Sequence, residues 1–340
     1  MSGASATAPL VRGRSPLSRF VTRHAWTIGV YVVLLLLILY WRTLPATFSS
    51  FEVQGLVISA LPLIFAAMAQ AVVVISGGID LSVGSLMSVV NVISAKQMLV
   101  NATTFETVSY REALLISVLL LLFGFVAGAF TGLLIVVSRV PDIVITLAML
   151  FVWAGIALWI LEVPGGGVPQ RFNQLGIGTT GSKWIPTGLL IVLGVVALVW
   201  LPLRWAKPGL ALYAFGSNRT AAYLAGISVA RTRIFAYALG GFFAAFGGLA
   251  LTATTTIGSP LAGNEFTLNS VAAIVLGGVS LIGGIGGLIG PIAAAFILTL
   301  TKTILVLRGV DQNWAQVIQG ALIIGVVMVG GLAIRRRGQR

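Results

Sequence analysis

Long apolar segments separated by short polar connections run through almost the whole sequence, and they limit the folds open to the chain. Only 9% of the residues are charged, whereas a soluble surface needs about 25%. The sequence therefore predicts an all-α, polytopic integral membrane protein. About ten segments approach the roughly 20 residues that a transmembrane helix needs, at 26–41, 53–75, 82–100, 113–137, 142–161, 186–203, 232–254, 268–282, 289–307 and 314–334.

The basic residues predict how these segments are oriented. With the N-terminus in the cytoplasm, most of the 21 lysine and arginine residues fall on the cytoplasmic side, as the positive-inside rule requires. We expect a basic cytoplasmic tail at 1–25, one transmembrane domain at 26–334 with a long cytoplasmic connection at 204–233, and a basic cytoplasmic tail at 335–340. Because the cations lie at segment ends, the net charge of +13 does not predict nucleic-acid binding.

Glycine-rich breaks interrupt the apolar pattern twice. The run Ser76–Ser85 (SGGIDLSVGS) places two glycines and an acid between apolar segments, and Gly277–Gly284 (GGVSLIGG) resembles Gly77–Gly84 (GGIDLSVG). Irregular backbone at membrane depth is stable only where protein or water satisfies its polar groups. Paired interruptions in the two halves of a chain indicate a transport path, so we expect discontinuous helices that line a pathway at both breaks.

Each break contains residues suited to ending one helix and starting the next. Gly77 or Gly78 can adopt the left-handed conformation that ends a helix, and Asp80 or Ser82 can accept hydrogen bonds from the free N–H groups of the following helix. Ser280 is placed to do the same in the second break. For Asp80 we favour this capping role over ligand contact, because Asp and Ser lead the ranking of cap residues.

Polar side chains inside apolar segments are further candidates for a transport path. One interpretation is that they line a water-filled path and form hydrogen bonds with a hydroxylated substrate. The other, which is the commoner role, is hydrogen bonding between neighbouring helices. Trp153 has the ring to stack on a sugar, but an aromatic residue within a span more often packs. With the polar residues of the breaks, the pathway candidates are Gln70, Ser76, Asp80, Ser82, Asn91, Thr146, Asn269 and Ser280.

The connection 204–233 contains the pattern of one short helix. Ser217 or Asn218 is a start signal and Gly226 is a stop signal. The pattern fits a solvated amphipathic loop at the lipid headgroups and equally fits a docking helix for a cytoplasmic partner. The local physics leaves both interpretations open.

The motifs of enzymes and metal sites are missing from the sequence. There is no cysteine, hence no disulfide and no thiolate nucleophile. There is no Gly-x-x-x-x-Gly-Lys-Ser/Thr phosphate loop, so the chain does not bind ATP by that route. Neither a His/Glu metal spacing nor a nucleophile–base pair is visible, and we expect no catalytic residue, no metal and no enzyme activity of the chain alone.

Three stretches together resemble the membrane permeases of bacterial sugar ABC importers of the ribose/xylose/arabinose type. They are Ser76–Ser85, Gly216–Ile227 and Ala272–Gly278, the last continuing through Gly283–Gly284 and Gly290, and the resemblance spans roughly residues 53–334. It implies an inner-membrane subunit that imports a monosaccharide and pairs with a second copy or a paralogue. It also implies two cytoplasmic ATP-binding subunits, an extracytoplasmic sugar-binding protein, and no cofactor beyond the ATP that the partner ATPase binds.

The resemblance implies a role for the short helix in the long connection. It would be the coupling helix that contacts the ATPase, and energy input would arrive there rather than at the breaks. The residues assigned to this role are Ser217, Asn218, Arg219, Ala222, Tyr223 and Gly226.

The chain departs from the family pattern in two places, which leaves the substrate open. Asp142 and Ile143 stand where relatives usually have an aromatic residue, and the loop 162–170 carries Pro-Gly-Gly-Gly. One alternative is a permease of the same family for a nucleoside or a signalling furanone. Another is a stand-alone ion-coupled carrier, which needs intramembrane ionisable residues as relays, and a structural or assembly protein is a third.

Overall fold

A helical bundle accounts for most of the chain in the computed structural model, which describes residues 16–44, 48–321, 324, 325 and 328. A π-helical turn, Val196–Trp200, lies between two of the helices, and residues 312–321 are also helical. The numbered helices are α1 Pro16–Trp41, α2 Ser50–Ile75, α3 Val83–Met98, α4 Tyr110–Ser138, α5 Asp142–Ile160, α6 Gln170–Ile177, α7 Thr187–Val195, α8 Leu201–Trp205, α9 Lys207–Ser217, α10 Arg219–Leu224, α11 Val229–Thr255, α12 Asn264–Leu276 and α13 Ile289–Leu307.

Six helical segments are long and apolar enough to cross a membrane. This confirms a mostly helical, polytopic protein, and the predicted number of ten spans is not confirmed. The apolar part of α1, Trp26–Trp41, is shorter than these six. The six long apolar segments are Ser50–Ile75, Tyr110–Ser138, Asp142–Ile160, Thr187–Trp205, Val229–Thr255 and Ile289–Leu307.

Three sequence predictions about the fold need correction or fall outside the described residues. The predicted span 268–282 is wrong, because α12 has 13 residues and ends at Leu276, about 20 Å of helix against a bilayer core of about 30 Å. A small antiparallel hairpin, β1 Leu99–Asn101 with β2 Glu106–Thr107, means that the fold is not purely α. The tail 335–340 and parts of the tail 1–25 and of the segment 314–334 lie outside the described residues.

Helices α2 and α11 form the centre of the bundle. Helix α2 is buried along nearly all of its length, and a helix that is apolar all round is stable only in such surroundings. Helices α4 and α5 are peripheral and leave large apolar side chains such as Leu119 and Phe151 exposed. These outward faces suit contact with lipid.

A stripe of small residues brings α4 and α11 together. Gly124, Gly128 and Gly132 follow one another at intervals of four on α4, and Cβ atoms at Gly124 and Gly128 would overlap α11 at Gly241 and Tyr237. Small residues at this spacing let helix backbones approach closely in membranes. The stripe therefore fixes α11, which carries several residues of the site described next.

Candidate functional site

Both glycine breaks, here called break 1 (76–82) and break 2 (277–288), begin with the same helix-ending turn. Gly77 has φ +78°, and the N–H of Gly78 donates to the carbonyl of Val73 at 3.1 Å, the pattern of a Schellman motif. Gly278 has φ +83° and occupies the equivalent place in break 2. The left-handed glycine is confirmed at Gly77, and its structural counterpart is one residue further along than the Gly277 that the sequence repeat aligned with it.

Asp80 lies in break 1 directly before α3. Its Oδ1 accepts hydrogen bonds from the backbone N–H of Ser82 at 2.8 Å and from the Ser82 hydroxyl at 2.6 Å. The Ser82 side chain makes no cap bond of its own. Asp80 therefore closes a turn just ahead of α3, and among the described residues neither Asp80 nor Ser82 makes the predicted cap bond to the free N–H groups of that helix.

Ser280 does not play the corresponding role in break 2. Its Oγ accepts from the N–H of Ile282 at 3.3 Å, but the next helix begins only at Ile289. The prediction that Ser280 caps a following helix is wrong, because Gly283, Gly284 and Gly286 take positive φ and keep the backbone irregular.

A buried polar cluster holds break 1 against α5 and α11. Arg233 and Asp142 form an ion pair. The hydroxyl of Tyr237 lies 2.8 Å from Oδ2 of Asp142 and 3.2 Å from the carbonyl oxygen of Ile79, and the Thr146 hydroxyl donates to the carbonyl of Asp142 at 2.9 Å. The carboxylate of Asp142 thus pairs with a cation from α11, and Tyr237 lies between this carboxylate and the backbone of the break.

The two breaks meet each other and the α9–α10 segment. The N–H of Gly284 donates to the carbonyl of Ile75 at 2.9 Å, which joins break 2 to the end of α2. The guanidinium of Arg219 donates to the carbonyl of Gly77 at 3.0 Å. The first residue of the short helix therefore touches break 1.

The short helix itself, α10, forms where the sequence predicts it. Asn218 is the N-cap, and its side chain accepts from the N–H of Ala221 at 3.0 Å. Gly226 ends the helix with φ +79°. Of the two start signals, Asn218 is confirmed, whereas Ser217 is the last residue of α9.

Exposure divides α10 into two faces. Ala222 is buried, whereas Tyr223 and Leu224 are 69% and 80% exposed. An exposed aromatic and an exposed leucine on a six-residue helix make an apolar patch at the surface. Such a patch suits contact with another macromolecule.

The polar pathway candidates separate into groups in the structure. Four of them, Ser76, Asp80, Ser82 and Thr146, gather around break 1. Asn91 instead bonds helices together, because its amide nitrogen donates to the hydroxyl of Thr252 at 2.9 Å.

The remaining candidates have different surroundings. Gln70 is fully buried in α2, and neither its Nε2 nor its Oε1 has a partner among the described residues. Asn269 on α12 is half-buried, as is Ser280 in break 2. The structure therefore brings together half of the predicted set and leaves Gln70, Asn91, Asn269 and Ser280 in other environments.

Three residues of the site had no role in the sequence predictions. They are Tyr237 and Arg233 on α11, and Tyr213 on α9, whose hydroxyl donates to the carbonyl of Gly286 at 2.9 Å. The only available signal was Asp142, an acid at the start of an apolar segment, which calls for a buried cation nearby. No local pattern identifies which arginine pairs with it.

Helices interrupted at two linked breaks, within a bundle of apolar spans, define a membrane permease. The family model described as "Branched-chain amino acid transport system / permease component" matches residues 53–327. The chain belongs to this permease family and is a multi-pass protein of the inner membrane.

Curated relatives agree with the family assignment. The chain is 30% identical over 338 residues to "Probable ABC transporter permease protein y4mJ" of Sinorhizobium fredii (98% of this chain, 97% of the relative). It is 32% identical over 295 residues to "Autoinducer 2 import system permease protein LsrC" of an Enterobacter species (85% and 81%). It is 30% identical over 270 residues to "Ribose import permease protein RbsC" of Escherichia coli (77% and 80%).

These matches confirm the resemblance to sugar-type ABC permeases that the sequence motifs carry. The relatives are named as permeases rather than enzymes. No solved structure matches the chain.

Proposed function

We propose that the chain is the transmembrane subunit of a binding-protein-dependent importer that brings a monosaccharide into the cytoplasm, driven by ATP hydrolysis in partner subunits. The observation that carries this proposal is the 30% identity to a ribose import permease over 77% of the chain. The partners are two cytoplasmic ATP-binding subunits, an extracytoplasmic binding protein, and a second permease that is either a copy or a paralogue. Both termini face the cytoplasm in this proposal, because that orientation places most of the lysine and arginine residues on the cytoplasmic side.

In this proposal α10 is the coupling helix, and Tyr223 and Leu224 meet the ATPase. Their exposure of 69% and 80% leaves them available to a partner. Asn218 and Gly226 fix the two ends of the helix, so that the patch has one orientation. A surface helix of six residues has little stability of its own, and these end caps supply part of what it needs.

The transport path in this proposal runs past break 1. Ser76, Asp80, Ser82 and Thr146 contribute polar groups beside irregular backbone, as in other transporters with interrupted helices. Gln70 lies in α2, ahead of break 1 in the chain, and its amide has no hydrogen-bond partner among the described residues. In this proposal a passing hydroxylated solute forms the missing hydrogen bonds.

A second candidate substrate is a signalling furanone. The relative named as an autoinducer 2 import permease is 32% identical over 85% of the chain, which is as strong a likeness as that to the ribose permease. A nucleoside is a further candidate within the same family. A stand-alone ion-coupled carrier is the competing mechanism.

Purification from the source cells followed by reconstitution tests the proposal. We expect an ATP-binding subunit to co-purify, and proteoliposomes with ATP inside and the binding protein outside to accumulate radiolabelled ribose. Accumulation of labelled autoinducer 2 instead would select the second candidate. Transport driven by a proton or sodium gradient, by this chain alone, would refute the ABC mechanism.

Two variants test the coupling role of α10. Gly226→Trp forces a side chain onto a glycine with positive φ, and Asn218→Asp places an acid at the cap while preserving the cap bond. We expect both to lower ATPase association or uptake with membrane insertion intact. Normal uptake by both variants would contradict the coupling assignment.

A further inference from the structure

Helices α9 and α10 carry one side-chain hydrogen bond to each break. Tyr213 on α9 donates from its hydroxyl to the carbonyl of Gly286 in break 2, at 2.9 Å. Arg219, the first residue of α10, donates from its guanidinium to the carbonyl of Gly77 in break 1, at 3.0 Å. One short segment of the chain is therefore tied to both interruptions.

Close backbone packing supports these two bonds. A Cβ at Gly216 would overlap the carbonyl oxygen of Ile75 and lie 2.7 Å from the backbone nitrogen of Gly284. The same two residues are joined by the hydrogen bond from Gly284 to Ile75. The end of α9 thus sits where α2 and break 2 meet, with no room for a side chain between them.

The Arg219 side chain is held in place by more than one contact. Its guanidinium carbon lies 5.3 Å from the ring centroid of Phe215, within the range of a cation–π interaction. Phe215 is itself buried, so it gives the guanidinium a fixed support. A donor oriented in this way contributes more than a freely rotating side chain, because less rotamer entropy is lost when the hydrogen bond forms.

We propose that Tyr213 and Arg219 are positioning residues that make α9, α10 and both breaks move as one unit, so that a displacement of α10 changes the two breaks together. Both acceptor carbonyls belong to irregular backbone, whose polar groups need partners from outside regular secondary structure, and each finds one in a side chain of this segment. The direction of the signal, from ATPase to α10, rests on the proposed function. The mechanical link does not, because it lies entirely within this chain.

Hydrogen–deuterium exchange of the purified permease tests each bond separately. In Arg219→Met we expect amides in 76–82 to exchange about tenfold faster, as loss of a charge-assisted hydrogen bond predicts, and in Tyr213→Phe we expect about threefold faster exchange in 277–288. Arg219→Lys keeps a cationic donor and should restore part of the protection. Arg231→Met, at an exposed arginine of α11, and Tyr110→Phe are matched controls that should change neither segment.

A distance measurement distinguishes positioning from simple stabilisation. The chain has no cysteine, so spin labels attach only at Thr220→Cys on α10 and Ile282→Cys in break 2, and dilution with unlabelled permease separates the pair within one chain from labels on a second copy. We expect one narrow distance distribution, which broadens in Tyr213→Phe. A lower melting temperature with an unchanged distribution, or unchanged exchange in both variants, would overturn the proposal. If no ATPase co-purifies, the proposed function fails, and these measurements on the permease still decide the link.

Discussion

Breaks 1 and 2 share the turn that ends the preceding helix and the side-chain turn at the aligned Asp80 and Ser280, and they differ in burial and in where the next helix begins. Break 1 is buried and is held by side chains from α5 and α11. Break 2 exposes Ile282 and Ile285, at 79% and 68%, and bonds partly to itself, as in the hydrogen bond from the Ser280 N–H to the Ile285 carbonyl at 3.0 Å. The same stop signal therefore leads to two different structures.

The difference originates in the residues after the turn. Asp80 closes a turn that lets α3 begin at Val83. In break 2, Gly283, Gly284 and Gly286 have φ of +98°, +71° and +140°, conformations that a helix does not contain. A helix-ending glycine thus determines where one helix ends, and the residues that follow it determine where the next helix begins.

The largest effect should come from the cluster that holds break 1. Asp142→Leu leaves the Arg233 charge without its partner and removes one of the two acceptors of the Tyr237 hydroxyl, and breaking a buried pair from one side costs about 3–5 kcal/mol of the free energy of unfolding. Unfolding of the purified protein in detergent by increasing SDS measures this loss.

The double variant Asp142→Leu with Arg233→Met is the control. It removes both charges, so it should recover much of the stability that Asp142→Leu loses. Stability equal to the original protein in the single variant would show that the ion pair does not hold break 1.

A glycine-to-alanine pair compares the packing of the two breaks. A Cβ at Gly78 would lie 2.8 Å from both Asp142 Oδ2 and the Tyr237 hydroxyl, and overpacking of this kind costs about 1–3 kcal/mol. At Gly287 in break 2 the nearest heavy atom is a nitrogen of Arg204 at 3.9 Å, so Gly287→Ala should change stability by less than about 0.5 kcal/mol. Equal melting temperatures for the two variants would contradict the contrast between the breaks.

Effects smaller than that of Gly78→Ala should come from the residues that the sequence repeat aligns. Asp80→Leu strips the acceptor from two buried donors of Ser82 and should cost about 1–2 kcal/mol, whereas Ser280→Ala removes one long bond and should cost about 0.5 kcal/mol. Asp80→Asn keeps an acceptor oxygen, so it should retain folding and uptake. Loss of uptake in Asp80→Asn with normal stability would instead indicate that the charge contacts the solute.

The sequence predicts the ends of helices well where the determinants are neighbours in the chain. The glycine at 77, the cap at Asn218 and the stop at Gly226 all depend on hydrogen bonds that span a few residues. The predicted span 268–282 is wrong because it was drawn from hydropathy, which does not show where a helix ends. Hydropathy continues through Val279, Leu281 and Ile282, although the helix has already ended, because apolar character does not require helical backbone.

The sequence by itself determined that this chain is a membrane protein, where its two breaks fall and where α10 begins and ends, because composition and local hydrogen bonding suffice for those features. Only the tertiary structure decided that the breaks and α10 meet, and that Asp142 pairs with Arg233. It also decided that the glycine stripe of α4 packs on α11. These contacts join residues far apart in the chain, and their energies exist only once the helices are packed.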